Sequence, residues 1–130
     1  MQIARRIFWI AAIYGILATT PLFFLESRLS HDFPPAITHP EFFYGFAGVA
    51  LAWQIAFIYI AREPVRLRPI MIPAMLEKLS FGFAGVILFT LGRVPLTGML
   101  TSAMDLVFAG LFWVAYRRTA NIPVGSNSSQ

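Results

Sequence analysis

The sequence contains no cysteine. Disulfide staples and thiolate metal centres are therefore excluded. Charge is also scarce: 12% of the 130 residues are Asp, Glu, Lys or Arg, against about a quarter in an average soluble domain. Too few charged side chains remain to cover the surface of a globular protein of this length. Histidine occurs only twice, at His31 and His39 in one connecting segment, so a haem clamped by histidines from opposite helices is ruled out. The chain has no P-loop, no dinucleotide fingerprint, no HExxH and no Ser-His-Asp order, the patterns that would announce phosphate, nicotinamide, zinc or acyl-transfer chemistry. No cofactor is implied, and a non-enzymatic role is expected.

What is present is apolar. Hydrophobic residues make up 58% of the chain, thirteen of them Phe, and the mean hydropathy is +0.69. Four apolar runs stand out, at about 7–25, 42–61, 70–92 and 98–116, and each matches the roughly 20 residues a spanning helix needs. The expected fold is all-α: a single membrane domain covering 1–130, built as a bundle of four transmembrane helices, with a polar tail at 117–130. Arg5 and Arg6 before the first run resemble the start of a secretory signal. Pro21 follows the position where cleavage would fall, and "LFFL" carries the run onward, so an uncleaved helix is expected.

A net charge of +4 and a pI near 10.1 would suggest nucleic acid in a soluble protein. Here the basic residues flank the apolar runs, so no nucleic-acid partner is expected. Arg5, Arg6, Arg62, Arg66, Arg68, Arg117 and Arg118 fall on one side of the predicted membrane, and Arg28 and Arg93 on the other. Positive-inside bias then places both termini of a multi-pass protein in the cytoplasm.

The loops carry their own expectations. "RVPLTG" is short enough to force the last two helices into an antiparallel hairpin, and "REPVRLRP" reads as a compact basic loop against anionic headgroups. The outer loop "ESRLSHDFPPAITHPE" offers His31, Asp32, His39 and Glu41 as metal-competent side chains, but no spacing among them is diagnostic and no metal is expected. "THPE" reads as a capping box with Thr38 as N-cap and Glu41 returning to the backbone.

"GFAGV" occurs twice, at Gly45–Gly48 and its neighbours and again from Gly82 through Gly85. Small residues let helix backbones approach, so the second and third helices are expected to pack through Gly45, Gly48, Gly82 and Gly85. On the fourth helix, Gly98, Thr101, Ser102, Asp105, Ala109, Phe112 and Tyr116 share one face, and Leu100, Ala103, Val107, Leu111 and Val114 the opposite one, predicting a polar stripe toward protein and an aliphatic stripe toward lipid.

Four polar groups fall within predicted spans. An intramembrane carboxylate is costly and is by default a candidate functional group. Asp105 has a structural reading, either an ion pair with Arg93 across the hairpin, about 9 Å away in depth at 1.5 Å per residue, or a protonated carboxyl hydrogen-bonded to Thr101, and a functional one, a ligand or proton site supported by Thr101 and Ser102. Glu77 is expected to turn inward to Gln54, Arg62 or water. The adjacent Lys78 also enters the membrane, and its long side chain can snorkel to the headgroups. The candidate ligand-binding residues are therefore Asp105, Glu77, Gln54, Thr101, Ser102 and Tyr116.

The stretch "THPEFFYGFAGVALAWQ" followed by "AREPVRLRPIMIPAMLEK" resembles a group of small bacterial four-helix integral membrane proteins, a resemblance that implies the bacterial inner membrane and no activity. In architecture the chain distantly resembles the DoxX-like proteins, which implies association with quinones or respiratory complexes, and four-helix sterol-binding proteins with buried acids. No functional residue carries over from either. The expected partners are the lipid bilayer and a small lipophilic molecule bound in a partly polar interior. The alternatives are an accessory subunit of a membrane complex, a homo-oligomer, and a quinone-associated redox component.

Overall fold

A computed structural model describes residues 1–123, and the end of the polar tail expected from the sequence lies outside them. Among the described residues the chain is all-helical. Helix α1 spans Gln2–Thr19 and continues as a 3-10 turn over Thr20–Phe24. Helix α2 is a short segment at Glu26–Asp32, α3 spans Pro40–Arg62, α4 spans Met71–Thr90 after a 3-10 turn at Arg68–Ile70, and α5 spans Leu96–Arg118. Four segments are long and apolar enough to cross a membrane: Gln2–Phe24, Pro40–Arg62, Arg68–Thr90 and Leu96–Arg118. Their number agrees with the four predicted runs. The first begins earlier than expected, because the 3.6-residue period continues through Arg5 and Arg6 to Gln2.

Helix α2 had no counterpart in the sequence reading. It lies within the outer loop, with Glu26 in its first turn, where a carboxylate complements the helix dipole. Glu26 accepts a hydrogen bond from the Tyr44 hydroxyl at 2.8 Å, and Ser30 Oγ accepts one from the Ile37 amide at 3.1 Å. These tie the loop to the start of α3. The capping box is not formed. His39, not Thr38, is the N-cap of α3, and no side chain caps it. Pro40 takes the first helical position, and Glu41 turns back to His39 Nδ1 at 3.3 Å instead of reaching the backbone. His31 pairs separately with Asp32 at 3.1 Å.

The α4–α5 hairpin is set by a glycine stop. Gly92 has φ +71°, the left-handed conformation that glycine adopts without a Cβ clash. The Arg93 amide donates to the Leu88 carbonyl at 2.8 Å and the Gly92 amide to the Phe89 carbonyl at 3.0 Å. This is the Schellman pattern that ends a helix sharply, and Pro95 then opens α5.

Around the bundle, α1 packs on α3, α4 on α5, and α1 on α5, whereas α3 and α4 barely touch. The expected α3–α4 glycine seam is therefore absent. A Cβ added at Gly45 or Gly48 meets nothing within 4 Å, so those glycines face outward. The tight glycine contacts lie elsewhere. A Cβ at Gly85 would fall on the Ser102 side chain of α5, one at Gly82 would crowd Leu106 and the Ser102 carbonyl, and one at Gly15 would fall on the Gln54 amide of α3. Identical pentapeptides thus have opposite surroundings, because α4 has a close partner along its glycine face and α3 does not.

One half of the bundle is sealed. Phe8 stacks on Phe112 at 4.3 Å between centroids, and Phe57 meets Phe112 edge-on at 5.0 Å. Ala4, Met71, Ala74 and Ala115 are fully buried around these rings. At the same end Arg68 Nε donates to the Tyr116 carbonyl at 3.0 Å and its guanidinium lies 3.7 Å over the Tyr116 ring. The start of α1, the α3–α4 loop and the end of α5 therefore share one end of the molecule. The loop itself is drawn in, with Pro64 and Val65 buried and Arg66 paired to Glu63 at 2.8 Å. In lipid such a plug is held by close packing and dispersion, since apolar groups gain little by leaving hydrocarbon for protein.

Candidate functional site

The other half of the bundle is open. Between the diverging helices α3 and α4 lies a cavity of about 360 Å³. Its upper walls are apolar: Ala18 and Leu22 from the first span, Phe43 and Phe46 from α3, and Phe81 from α4. Phe46 and Phe81 stack across the gap between their helices at 5.4 Å. The deep end is polar, formed by Gln54, Glu77, Lys78 and Asp105, with Tyr14 beside them. Lys78 is the eleventh residue of the 23-residue span Arg68–Thr90 and Asp105 the tenth of the 23-residue span Leu96–Arg118. At 1.5 Å per residue Lys78 lies about 15 and 18 Å from the two ends of its span, and Asp105 about 14 and 20 Å from those of its own.

Lys78 is the centre of this layer. Its Nζ is 3.5 Å from Asp105 Oδ1 and 3.7 Å from Glu77 Oε2, and the residue is only 4% exposed. The ammonium also lies 5.3 and 5.7 Å from the ring centres of Phe57 and Phe108, which favours a cation electrostatically. Lys78 therefore lies inward and does not snorkel, although its length would allow it. A long side chain leaves the membrane interior when it has no partner there; Lys78 has two carboxylates within reach.

The Arg93–Asp105 ion pair is not formed. Arg93 is exposed in the turn, and α5 begins at Leu96, so Asp105 lies nine residues into the helix, about 14 Å deep. That is beyond the reach of an arginine held at the turn. Glu77 likewise pairs with its neighbour Lys78 and not with Gln54 or Arg62. Their Cβ vectors diverge along the helix, but the lysine stem is long enough to fold its ammonium back toward the adjacent carboxylate.

Gln54 is 2% exposed. Its Nε2 donates to the Ala50 carbonyl one turn back at 2.8 Å, which turns its Oε1 the other way. That oxygen and Glu77 Oε2 are both buried without a hydrogen-bond partner. A buried polar atom left without a hydrogen bond costs roughly 1–3 kcal/mol; for Glu77 Oε2 the Lys78 ammonium 3.7 Å away offsets part of this.

The remaining expected residues divide. Thr101 lines the cavity mouth, but its hydroxyl donates to the Thr97 carbonyl at 2.9 Å. Ser102 donates to the Gly98 carbonyl at 3.0 Å and packs under Gly85, outside the cavity lining. Neither supports the Asp105 carboxylate. Tyr116 belongs to the sealed end with Arg68 and takes no part in the cavity. Of the polar lining residues, Lys78, Tyr14 and Thr19 were not among the expected site residues. Lys78 was legible: Ala74 and Gly82 sit four residues before and after it, marking the face of α4 that packs inward. Tyr14 is flanked by Ala11, Gly15 and Ala18 in the same way.

Compared with protein-family models, curated proteins and solved structures, the chain matches none.

Proposed function

We propose that this is a multi-pass protein of the bacterial inner membrane, with its arginine-rich end in the cytoplasm, that binds a small lipophilic molecule in the cavity between α3 and α4. The observation that carries the reading is the cavity itself: apolar walls above a charged layer at mid-span, with two acceptors that make no hydrogen bond. A volume near 360 Å³ falls in the range of small-molecule sites, about 300–1,000 Å³. Ionisable groups at this depth are expensive and mark functional sites. An amphiphile answers both halves of the lining. Its chain lies among Leu22, Phe43, Phe46 and Phe81, and its polar end reaches Gln54 and Glu77.

The same layout gives a route. Such a ligand enters from the bilayer between α3 and α4, past the stacked Phe46 and Phe81. The phenylalanine plug around Phe8, Phe57 and Phe112 closes the cytoplasmic half, so the site is reached from the membrane and its outer side.

Radiolabelled 1-decanol and the purified protein in a neutral maltoside detergent provide the test, read by scintillation proximity. Wild-type protein is expected to bind it saturably. Ala18→Phe, which places a ring in the cavity from an exposed position on α1, is expected to weaken binding about tenfold or more, the equivalent of 1.4 kcal/mol per decade. Non-saturable uptake that is identical in the two proteins would refute a cavity site.

A further inference from the structure

We propose that the polar end of the ligand is a protonated amine: the site is built for a lipophilic ammonium and not for an alcohol, a carbonyl compound or an acid. This rests on the cavity reading above and adds the chemistry of the headgroup. Three observations support it independently.

The first is the sign of the unpaired groups. The two buried atoms that make no hydrogen bond, Gln54 Oε1 and Glu77 Oε2, are both acceptors, and the second has the Lys78 ammonium 3.7 Å away. One N–H of the Gln54 amide is engaged by the Ala50 carbonyl at 2.8 Å, which fixes the side on which Oε1 lies. A ligand that hydrogen-bonds to both oxygens must bring at least two N–H or O–H donors. A primary ammonium has three. An alcohol has one, and a ketone, quinone or quaternary ammonium has none.

The second is charge. Two carboxylates, Glu77 and Asp105, share one cation, Lys78, and the other described lining residues carry no charged side chain. With all three ionised the layer is one positive charge short, in a medium where an uncompensated charge is costly. A second ammonium makes the layer two against two. A ligand carboxylate would widen the imbalance and face the Gln54 carbonyl oxygen with nothing to donate.

The third is the ion-pair geometry. The Lys78 ammonium stands 3.5 and 3.7 Å from its carboxylates, longer than the 2.7–2.9 Å of a formed charge-assisted hydrogen bond. The carboxylates are thus held near Lys78 without being saturated by it, and they keep lone pairs for a second donor. Aromatic rings at Tyr14, Phe43 and Phe81 line the approach, and ring faces attract an alkylammonium more than a neutral or anionic head.

The experiment is a displacement series against the radiolabelled decanol, with competitors that share its chain: decylamine, decyltrimethylammonium and decanoate. Decylamine is expected to displace decanol at about a tenth of the concentration that unlabelled decanol needs, the order expected when a neutral hydrogen bond becomes charge-assisted. Decyltrimethylammonium, charged but without donors, is expected to fall near decanol, and decanoate to be weakest. In Glu77→Gln the advantage of the amine over decanol is expected to shrink to about twofold or less. Gln54→Leu gives a second reading at a residue that carries no charge, and the same loss is expected there. Decanoate or the quaternary compound matching the amine in wild-type protein would overturn the ammonium assignment while leaving the cavity reading intact. Failure of decanol and decylamine alike to bind would remove both.

Discussion

Gly85→Leu is expected to prevent the bundle from assembling, whereas Gly48→Leu leaves it nearly unchanged. The two glycines occupy matching places in the repeated pentapeptide, so sequence alone predicts the same outcome for both. The structure separates them. A Cβ at Gly85 lands on the Ser102 side chain, and the α4–α5 interface is the most extensive in the molecule. A leucine there cannot be accommodated without forcing the two helices apart, a loss in the class above about 4 kcal/mol. At Gly48 nothing lies within 4 Å of a Cβ, and a leucine would sit among lipid tails at a cost within about 0.5 kcal/mol. Thermal melting in detergent distinguishes them. A milder pair refines the test: Gly85→Ala is expected to be destabilised, and adding Ser102→Gly, which removes the side chain it strikes, to recover most of the loss. Equal sensitivity at Gly48 and Gly85 would mean that α3, and not α5, lies against the glycine face of α4.

The second large effect is expected at Lys78. Lys78→Met keeps the length and much of the volume of the side chain and removes only the ammonium. Glu77 and Asp105 then share a buried layer with no cation. Removing one partner of a buried ion pair costs about 3–5 kcal/mol, because the remaining charge is unsolvated. The expected result is a protein that is poorly expressed or melts far below wild type. Replacing all three with Glu77→Gln, Lys78→Met and Asp105→Asn together is expected to restore stability to near the wild-type value, since neutral isosteres need no counter-charge. The triple variant is also expected to lose its preference for decylamine. A Lys78→Met protein as stable as wild type would show that the lysine is at the membrane surface.

Much of this architecture was legible in the sequence, and the parts that were not have identifiable physical causes. Spans follow from length and apolarity, which the bilayer imposes directly, and the middle of the α5 stripe followed from its period: Ser102, Asp105, Ala109 and Phe112 are buried and Leu100, Val107, Leu111 and Val114 exposed, whereas Thr101, expected inward, is exposed and Gly98, Ala103 and Tyr116 are half-buried. Helix α2 was missed because seven residues are too few to show a period. The neighbour relations of α3 and α4 were misjudged because small residues permit close approach without specifying the partner. Gly45 and Gly48 are permissive and unused.

The pairing of Asp105 could have been found by counting from the turn. Asp105 lies nine residues beyond the start of α5 and Lys78 twelve before the end of α4. At 1.5 Å per residue the two are about 14 and 18 Å deep, a difference that a lysine stem spans. Arg93 drew the pairing in the sequence because it is the basic residue nearest the hairpin, but proximity along a loop is not equality of depth. The unpaired oxygen of Gln54 could not have been read at all. It depends on which end of the amide the Ala50 carbonyl takes, a matter of side-chain geometry within a helix.

The central claim is that Lys78 and Asp105 form one buried unit at mid-span, on which the site is built. A double-mutant cycle on thermal stability tests it most directly, with Lys78→Met, Asp105→Asn and the pair, and a parallel cycle with Arg93→Met in place of the lysine substitution. The expected result is a coupling of about 2 kcal/mol or more between Lys78 and Asp105, within the range for residues in direct contact, and about zero between Arg93 and Asp105. Additive losses for Lys78 and Asp105, or a coupling that appears with Arg93 instead, would contradict it.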